Sequence, residues 1–92
     1  MVERTDALLR SLSEDLSLPE ADRDTGAADG ALRSVIRLLQ EADALLADGH
    51  TDAAQRALDE AAYQVSDSWS FRSVLGAEVL RVAQGRGARK SP

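Results

Sequence analysis

The chain has 92 residues, 43% hydrophobic content, no cysteine and a formal net charge of −5. That size and apolar content suit one small globular domain, and the missing cysteines exclude a disulfide framework and a thiolate metal site. The first residues, MVERTDALLR, lack the apolar core of a signal peptide, and no apolar run approaches a membrane span, so the expectation is a cytoplasmic protein with no membrane partner.

The charge is unevenly spread. Residues 1–30 sum to −5, residues 31–68 to −4 and residues 69–92 to +4. The basic end suits either nucleic acid or the acidic helices of its own or a neighbouring copy, and the second requires nothing beyond this chain. With only Tyr63, Trp69 and Phe71 as aromatics and alanine at many apolar positions, burial per residue is modest. Self-association is an expected source of further burial.

Leu8, Leu9, Leu12 and Leu16 recur at helical spacing and predict a first helix over Thr5–Leu16, with Thr5 or Asp6 as its cap. The following SLPEADRDTGAADG is polar and holds Pro19, Gly26 and Gly30. It reads as a linker over residues 18–30, long for so small a domain. Such a length marks a functional segment, or a first helix that docks loosely or on another subunit.

Asp29 is placed to cap the next helix, which runs to about Asp48. On a wheel of about 100° per residue, Leu32, Val35, Ile36, Leu38, Leu39, Ala42, Leu45 and Leu46 fill about half the circumference. An arc that wide has to be covered from two directions, one neighbour packing on Leu38, Ala42 and Leu45 and another on Ile36, Leu39 and Leu46. The first helix is the natural cover for one flank. Gly49 is the expected left-handed stop, and Thr51 caps a third helix from Asp52 to about Ser66. Its narrower face holds Ala54, Ala57, Leu58, Ala61, Ala62 and Val65, with Arg56, Asp59, Glu60 and Tyr63 turned outward. Ser68 or Ser70 caps a fourth helix, about Phe71–Gln84, with a face of Phe71, Val74, Leu75, Val79 and Val82. Gly85 and Gly87 end it, leaving RGARKSP as a flexible basic tail over residues 85–92.

Leu38, Ala42, Leu45, Gly49, Ala54, Leu58 and Ala61 fall in a register that resembles the tetratricopeptide repeat, whose helix-turn-helix unit recurs about every 34 residues. Leu75-Gly76 followed by Val79 sits where a second unit would place its Leu-Gly-x-x-Tyr. Glu41, Arg72 and Ser66 replace the pattern's leucine, aromatic and closing proline. The resemblance spans residues 35–83, and it implies a right-angled helical stack used to bind protein or peptide.

Residue constellations for chemistry are missing. His50 is the sole histidine and reads as a solvated turn residue, because no second imidazole or thiolate stands at metal-ligand spacing. Pairs such as Glu41/Asp43 and Asp59/Glu60 diverge on a helix instead of converging on a substrate. No serine lies in a nucleophile elbow, and no glycine run forms a phosphate loop. The sequence therefore points to a non-enzymatic protein with no cofactor or metal.

Candidate partner contacts are Ile36, Leu39 and Leu46 on the central helix, together with Tyr63, Trp69, Glu78 and Leu80. Glu78 falls inside the apolar arc of the fourth helix, where it pairs with Arg81 or reaches the arc's edge, or else fixes register in an oligomer or receives a partner's basic residue. Leu80 lies on the opposite side, exposed or in an interface. Trp69 serves as core or as a partner anchor, and Tyr63 is half exposed. Arg86, Arg89 and Lys90 are the candidate nucleic-acid contacts, non-specific and salt-sensitive.

These readings give an all-α chain: an N-terminal helix, the 18–30 linker, a three-helix core over 31–84 that is tetratricopeptide-like or a small bundle, and the basic tail. The expected function is a small adaptor or regulator using a helical groove, in a homodimer or hetero-complex. The alternative is a nucleic-acid-associated regulator, such as an antitoxin or phage-encoded inhibitor, working through the basic tail or by acidic mimicry.

Overall fold

A computed structural model describes the backbone of residues 2–70 and 72–88, and the side chains of residues 6–70 and 72–84. Among the described residues there are four α-helices, α1 (Val2–Leu16), α2 (Asp29–Ala47), α3 (Thr51–Ser68) and α4 (Val74–Ala88), and one short 3-10 turn, Glu20–Asp22. No strand occurs among them. The expected four-helix, all-α architecture is what the chain adopts. Phe71 and residues 89–92, expected on the fourth helix and in the tail, lie outside the described residues.

The helices form a closed ring. α2 packs against α1 on one side and α3 on the other, while α4 packs against α3 and closes back on α1. This is the two-sided cover that the broad apolar arc of α2 demands. Leu32, Val35 and Leu39 are fully enclosed, in one cluster with Leu8 and Leu12 from α1, Ala54, Ala61 and Val65 from α3, and Val79 and Ala83 from α4.

The α2–α3 turn follows directly from its glycine. Gly49 takes φ +82°, its N–H donates to Leu46 O, and the His50 N–H donates to Leu45 O at 2.8 Å, which together satisfy the last carbonyls of α2. The next helix then runs back alongside. α3 and α4 are also antiparallel, since Gln55 Nε2 reaches Ala83 O while a methyl on Gly76 would stand 3.3 Å from Val65 Cγ1. Gly76 thus leaves room for Val65 of α3 to pack on bare backbone of α4.

Several local expectations are corrected. α1 begins at Val2, so neither Thr5 nor Asp6 is its cap. α2 is preceded by Ala28 and α3 by His50, neither giving a side-chain cap bond. Asp29 instead pairs with Arg23 at 2.6 Å. Neither Ser68 nor Ser70 caps α4; Ser73 does, its Oγ accepting the Gly76 N–H at 2.8 Å. α4 continues through Gly85 and Gly87 to Ala88, because a glycine inside a helix costs only about 1 kcal/mol. Its buried face is also rotated from the expected one. Gly76, Val79 and Ala83 point inward, while Val74 is 66% exposed.

The largest difference concerns the 18–30 segment, where residues 23–27 form a hydrogen-bonded clasp while residues 18–22 stay exposed. Asp15, buried at the end of α1, accepts the Asp24 N–H, the Thr25 N–H and the Thr25 hydroxyl. Arg23 donates to the carbonyls of Leu16, Leu18 and Ala27. Thr25 O accepts the Ser70 N–H, and Asp24 reaches across to the start of α4, where it accepts from Leu75 N–H, Val74 N–H and Ser73 Oγ. The first helix therefore docks in its own chain, and one end of every helix meets at this clasp.

Candidate functional site

Once the ring closes, the seven candidate contacts separate. Leu39 is 0% exposed and Trp69 6%, so Leu39 is corrected from partner contact to core, and Trp69 takes the core position of its two expected roles. Leu39 belongs to the cluster shared by all four helices. Trp69 is enclosed between the clasp and the end of α3, its indole N–H having no acceptor among the described residues. Ile36, Leu46 and Leu80 are half-buried against the same core. Among the described residues no large hydrophobic of α2 is exposed, so the groove expected along that helix is filled by α1 and α3. Glu78 is half-buried and pairs with Arg81, at the edge of the α4 face. Arg86 belongs to the backbone of α4; its side chain and the whole of Arg89 and Lys90 lie outside the described residues.

Tyr63 remains. It is 66% exposed, more open than the half-exposed position expected of it. α3 displays it by simple periodicity: Ala54, Ala57, Leu58, Ala61 and Val65 face inward, which turns Tyr63 directly outward at about 100° per residue. Asp59 and Glu60 lie one turn before it on the same face, Asp67 one turn after, and Asp52 and Arg56 continue the stripe toward the start of the helix. All of these are exposed. Gln55 and Gln64 donate to Asp59 and Glu60, holding both carboxylates along the helix. The two ion pairs found among the described residues, Arg23–Asp29 and Arg81–Glu78, are elsewhere. The outer face of α3 is therefore an aromatic ring inside a negative field.

No protein-family model, curated protein or solved structure matches this chain. Among the described residues no group of three or more histidine, aspartate or glutamate side chains converges to hold a metal ion, and no helix is long and apolar enough to cross a membrane.

Two features escaped the periodicity. Leu18, in the loop after α1, is 43% exposed, an apolar side chain that the ring does not use. Asp24 is the second. Desolvation pushes its pKa up, but the Leu75 N–H, the Ser73 hydroxyl and the Val74 N–H outweigh that and leave it below the usual carboxylate value. Its neighbours Asp-Arg-Asp-Thr-Gly gave a compositional hint of a turn, but nothing in the spacing marks a bond to residues some fifty positions away.

Proposed function

We propose that this protein is a small non-enzymatic interaction module that docks a basic segment of a protein partner on the outward face of α3. Tyr63 carries the proposal. A large exposed aromatic costs solvation without contributing to this fold, and tyrosine is enriched among the few interface residues that dominate binding. Asp59, Glu60 and Asp67 around it favour an incoming arginine or lysine, which gains both charge complementarity and contact with the ring face. The docking surface is a convex helix face, not the groove suggested by the tetratricopeptide resemblance. A regulatory role in the cytoplasm through such contacts remains the functional proposal. Direct nucleic-acid binding through Arg86, Arg89 and Lys90 is the alternative.

Tyr63→Ala is expected to leave stability within about 0.5 kcal/mol, as exposed substitutions do, yet to weaken binding about thirtyfold, the loss of an anchor worth about 2 kcal/mol. Titrating the ¹⁵N-labelled protein with an arginine-rich peptide checks this. Shifts concentrated at residues 56–67, reduced by salt and by Tyr63→Ala, are the expected result. Shifts spread over the molecule and indifferent to Tyr63 overturn it. A low-salt gel shift that disappears when residues 85–92 are removed favours the nucleic-acid alternative.

A further inference from the structure

The outward stripe of α3 begins beside the end of α4. The two helices are antiparallel, and Gln55 Nε2 joins them, donating to Asp59 Oδ1 at 2.9 Å and to Ala83 O at 3.3 Å. One side-chain amide thus sets the Asp59 carboxylate on the flank of α3 that borders α4. Asp52 stands three residues before Gln55 and Asp59 four after it, so all three share that flank. From Ala83 the backbone of α4 continues to Ala88, about 7.5 Å at ~1.5 Å per residue, which brings its end level with Thr51 and Asp52. The charge changes sign across this boundary. Asp52 and Asp59 are exposed, and neither ion pair found among the described residues involves them; Arg56 is the cation nearest to them along the stripe. The residues after Ala83 read Gln-Gly-Arg-Gly-Ala-Arg-Lys-Ser-Pro, with three basic side chains and no acidic one.

We infer that the basic segment 86–90 is the chain's own occupant of the first turns of α3, pairing with Asp52 and Asp59 and competing there with the basic segment of a partner. The inference rests on the reading of α3 as the partner-binding face and adds its regulation. Reach decides how much of the stripe the segment covers. Measured from Thr51 along the axis of α3, Asp52 is within the same turn, Asp59 lies about 12 Å away and Tyr63 about 18 Å. Arg89 and Lys90 add about 3.3–3.6 Å of backbone each beyond Ala88, followed by a long side chain. Asp59 is therefore at the limit of reach, and Tyr63 is past it. The segment covers the acidic start of the stripe and leaves the ring open. A partner finds Tyr63 free, but has to displace a resident cation at Asp59. Tethering favours the resident, because a short linker holds it at an effective concentration on the order of millimolar. Each exposed ion pair is weak and screened by salt, so the contact yields to a partner that also gains Tyr63.

Backbone ¹⁵N relaxation of the unmodified protein at low salt tests the inference. The Arg89 and Lys90 amides are expected to show heteronuclear NOE values well above those of a free coil, and to fall to coil values at about 0.5 M salt or in the double variant Asp52→Asn with Asp59→Asn. These substitutions lie on an exposed face, so the fold is expected to survive them. In the converse variant, Arg89→Gln with Lys90→Gln, the arginine-rich peptide is expected to bind about fivefold more tightly at low salt, the release of two exposed ion pairs, and this gain is expected to vanish when Asp52 and Asp59 are also neutralised. Coil values at Arg89 and Lys90 in the unmodified chain overturn the inference, as does order that persists without Asp52 and Asp59 or that fades on dilution, which marks a neighbouring copy as its source. The two readings fail separately. A tail at coil values with the peptide still bound at residues 56–67 overturns the resident segment alone, whereas an ordered tail with no peptide binding in any variant overturns α3 as the partner face.

Discussion

Leu39→Ala is expected to destabilise the protein by about 3–5 kcal/mol, the range for a leucine whose removal leaves an unfilled cavity. Leu39 is fully enclosed in the shared core, with α2 held between α1 and α3. Helix backbones on both sides restrict collapse into the space, so the upper part of the range applies. Domains of this length have only about 5–15 kcal/mol in total, and each kilocalorie lowers the melting temperature by about 4–8 °C. The substitution therefore removes a large share of the folded population at physiological temperature. Val74→Ala is the control. Sequence periodicity places both residues in the core, yet Val74 is 66% exposed, so this change is expected to stay within about 0.5 kcal/mol. Urea unfolding followed by circular dichroism and by Trp69 emission measures both.

Asp15→Ala is expected to cost about 2–4 kcal/mol, although it removes only a short polar side chain. It leaves the Asp24 and Thr25 amides and the Thr25 hydroxyl without their acceptor, in a place where Thr25 is fully buried. An orphaned buried donor loses more than the bond was worth, since water no longer compensates it. Because Asp15 and Thr25 act as one unit, the double substitution Asp15→Ala with Thr25→Val should cost less than the two single losses combined. Acid weakens the same clasp from its other end. The Asp24 pKa is lower in the folded chain than in the unfolded one, so the stability it contributes is fully present above the unfolded-chain value near ~3.9 and is lost as the pH falls through the lower folded value. Unfolding free energy should thus drop more steeply below about pH 4 in the natural chain than in Asp24→Asn.

The helices and the clasp differ in how far their sequence reveals them. The number of helices, the stop at Gly49 and the two-sided burial of α2 all follow from large apolar side chains recurring at helical spacing, with a glycine where the chain needs a positive φ. The face of α4 is less legible because Gly76 and Ala83 have little side chain to register as apolar. They are buried since α4 comes close to α3, which no single-helix pattern encodes. The start of α4 misleads in the same way: Ser68 and Ser70 offer themselves as caps, and only Asp24, arriving from the clasp, singles out Ser73 further along.

The clasp itself has no periodicity. Asp15 reads as a solvated helix residue and Arg23, Asp24 and Thr25 as solvated loop residues, and only the meeting of α1, α2 and the α3–α4 junction joins them into one hydrogen-bonded unit around the buried Asp15 and Thr25. Tyr63 was legible as outward-facing because α3 is so regular. Leu39 and Trp69 looked like partner contacts as long as the covering helices were unplaced, and closing the ring puts them inside.

Native-state hydrogen exchange of the Thr25, Ala27, Ser70 and Leu75 amides tests the closed ring and its clasp most directly. The structure gives each of these amides an acceptor within its own chain: Asp15 Oδ2, Thr25 Oγ1, Thr25 O and Asp24 Oδ2 respectively. All four should exchange far more slowly than an unstructured loop does. Exchange at free-coil rates in Thr25 and Ala27, with α2 and α3 still protected, would show α1 and its connection swinging free and would contradict the ring.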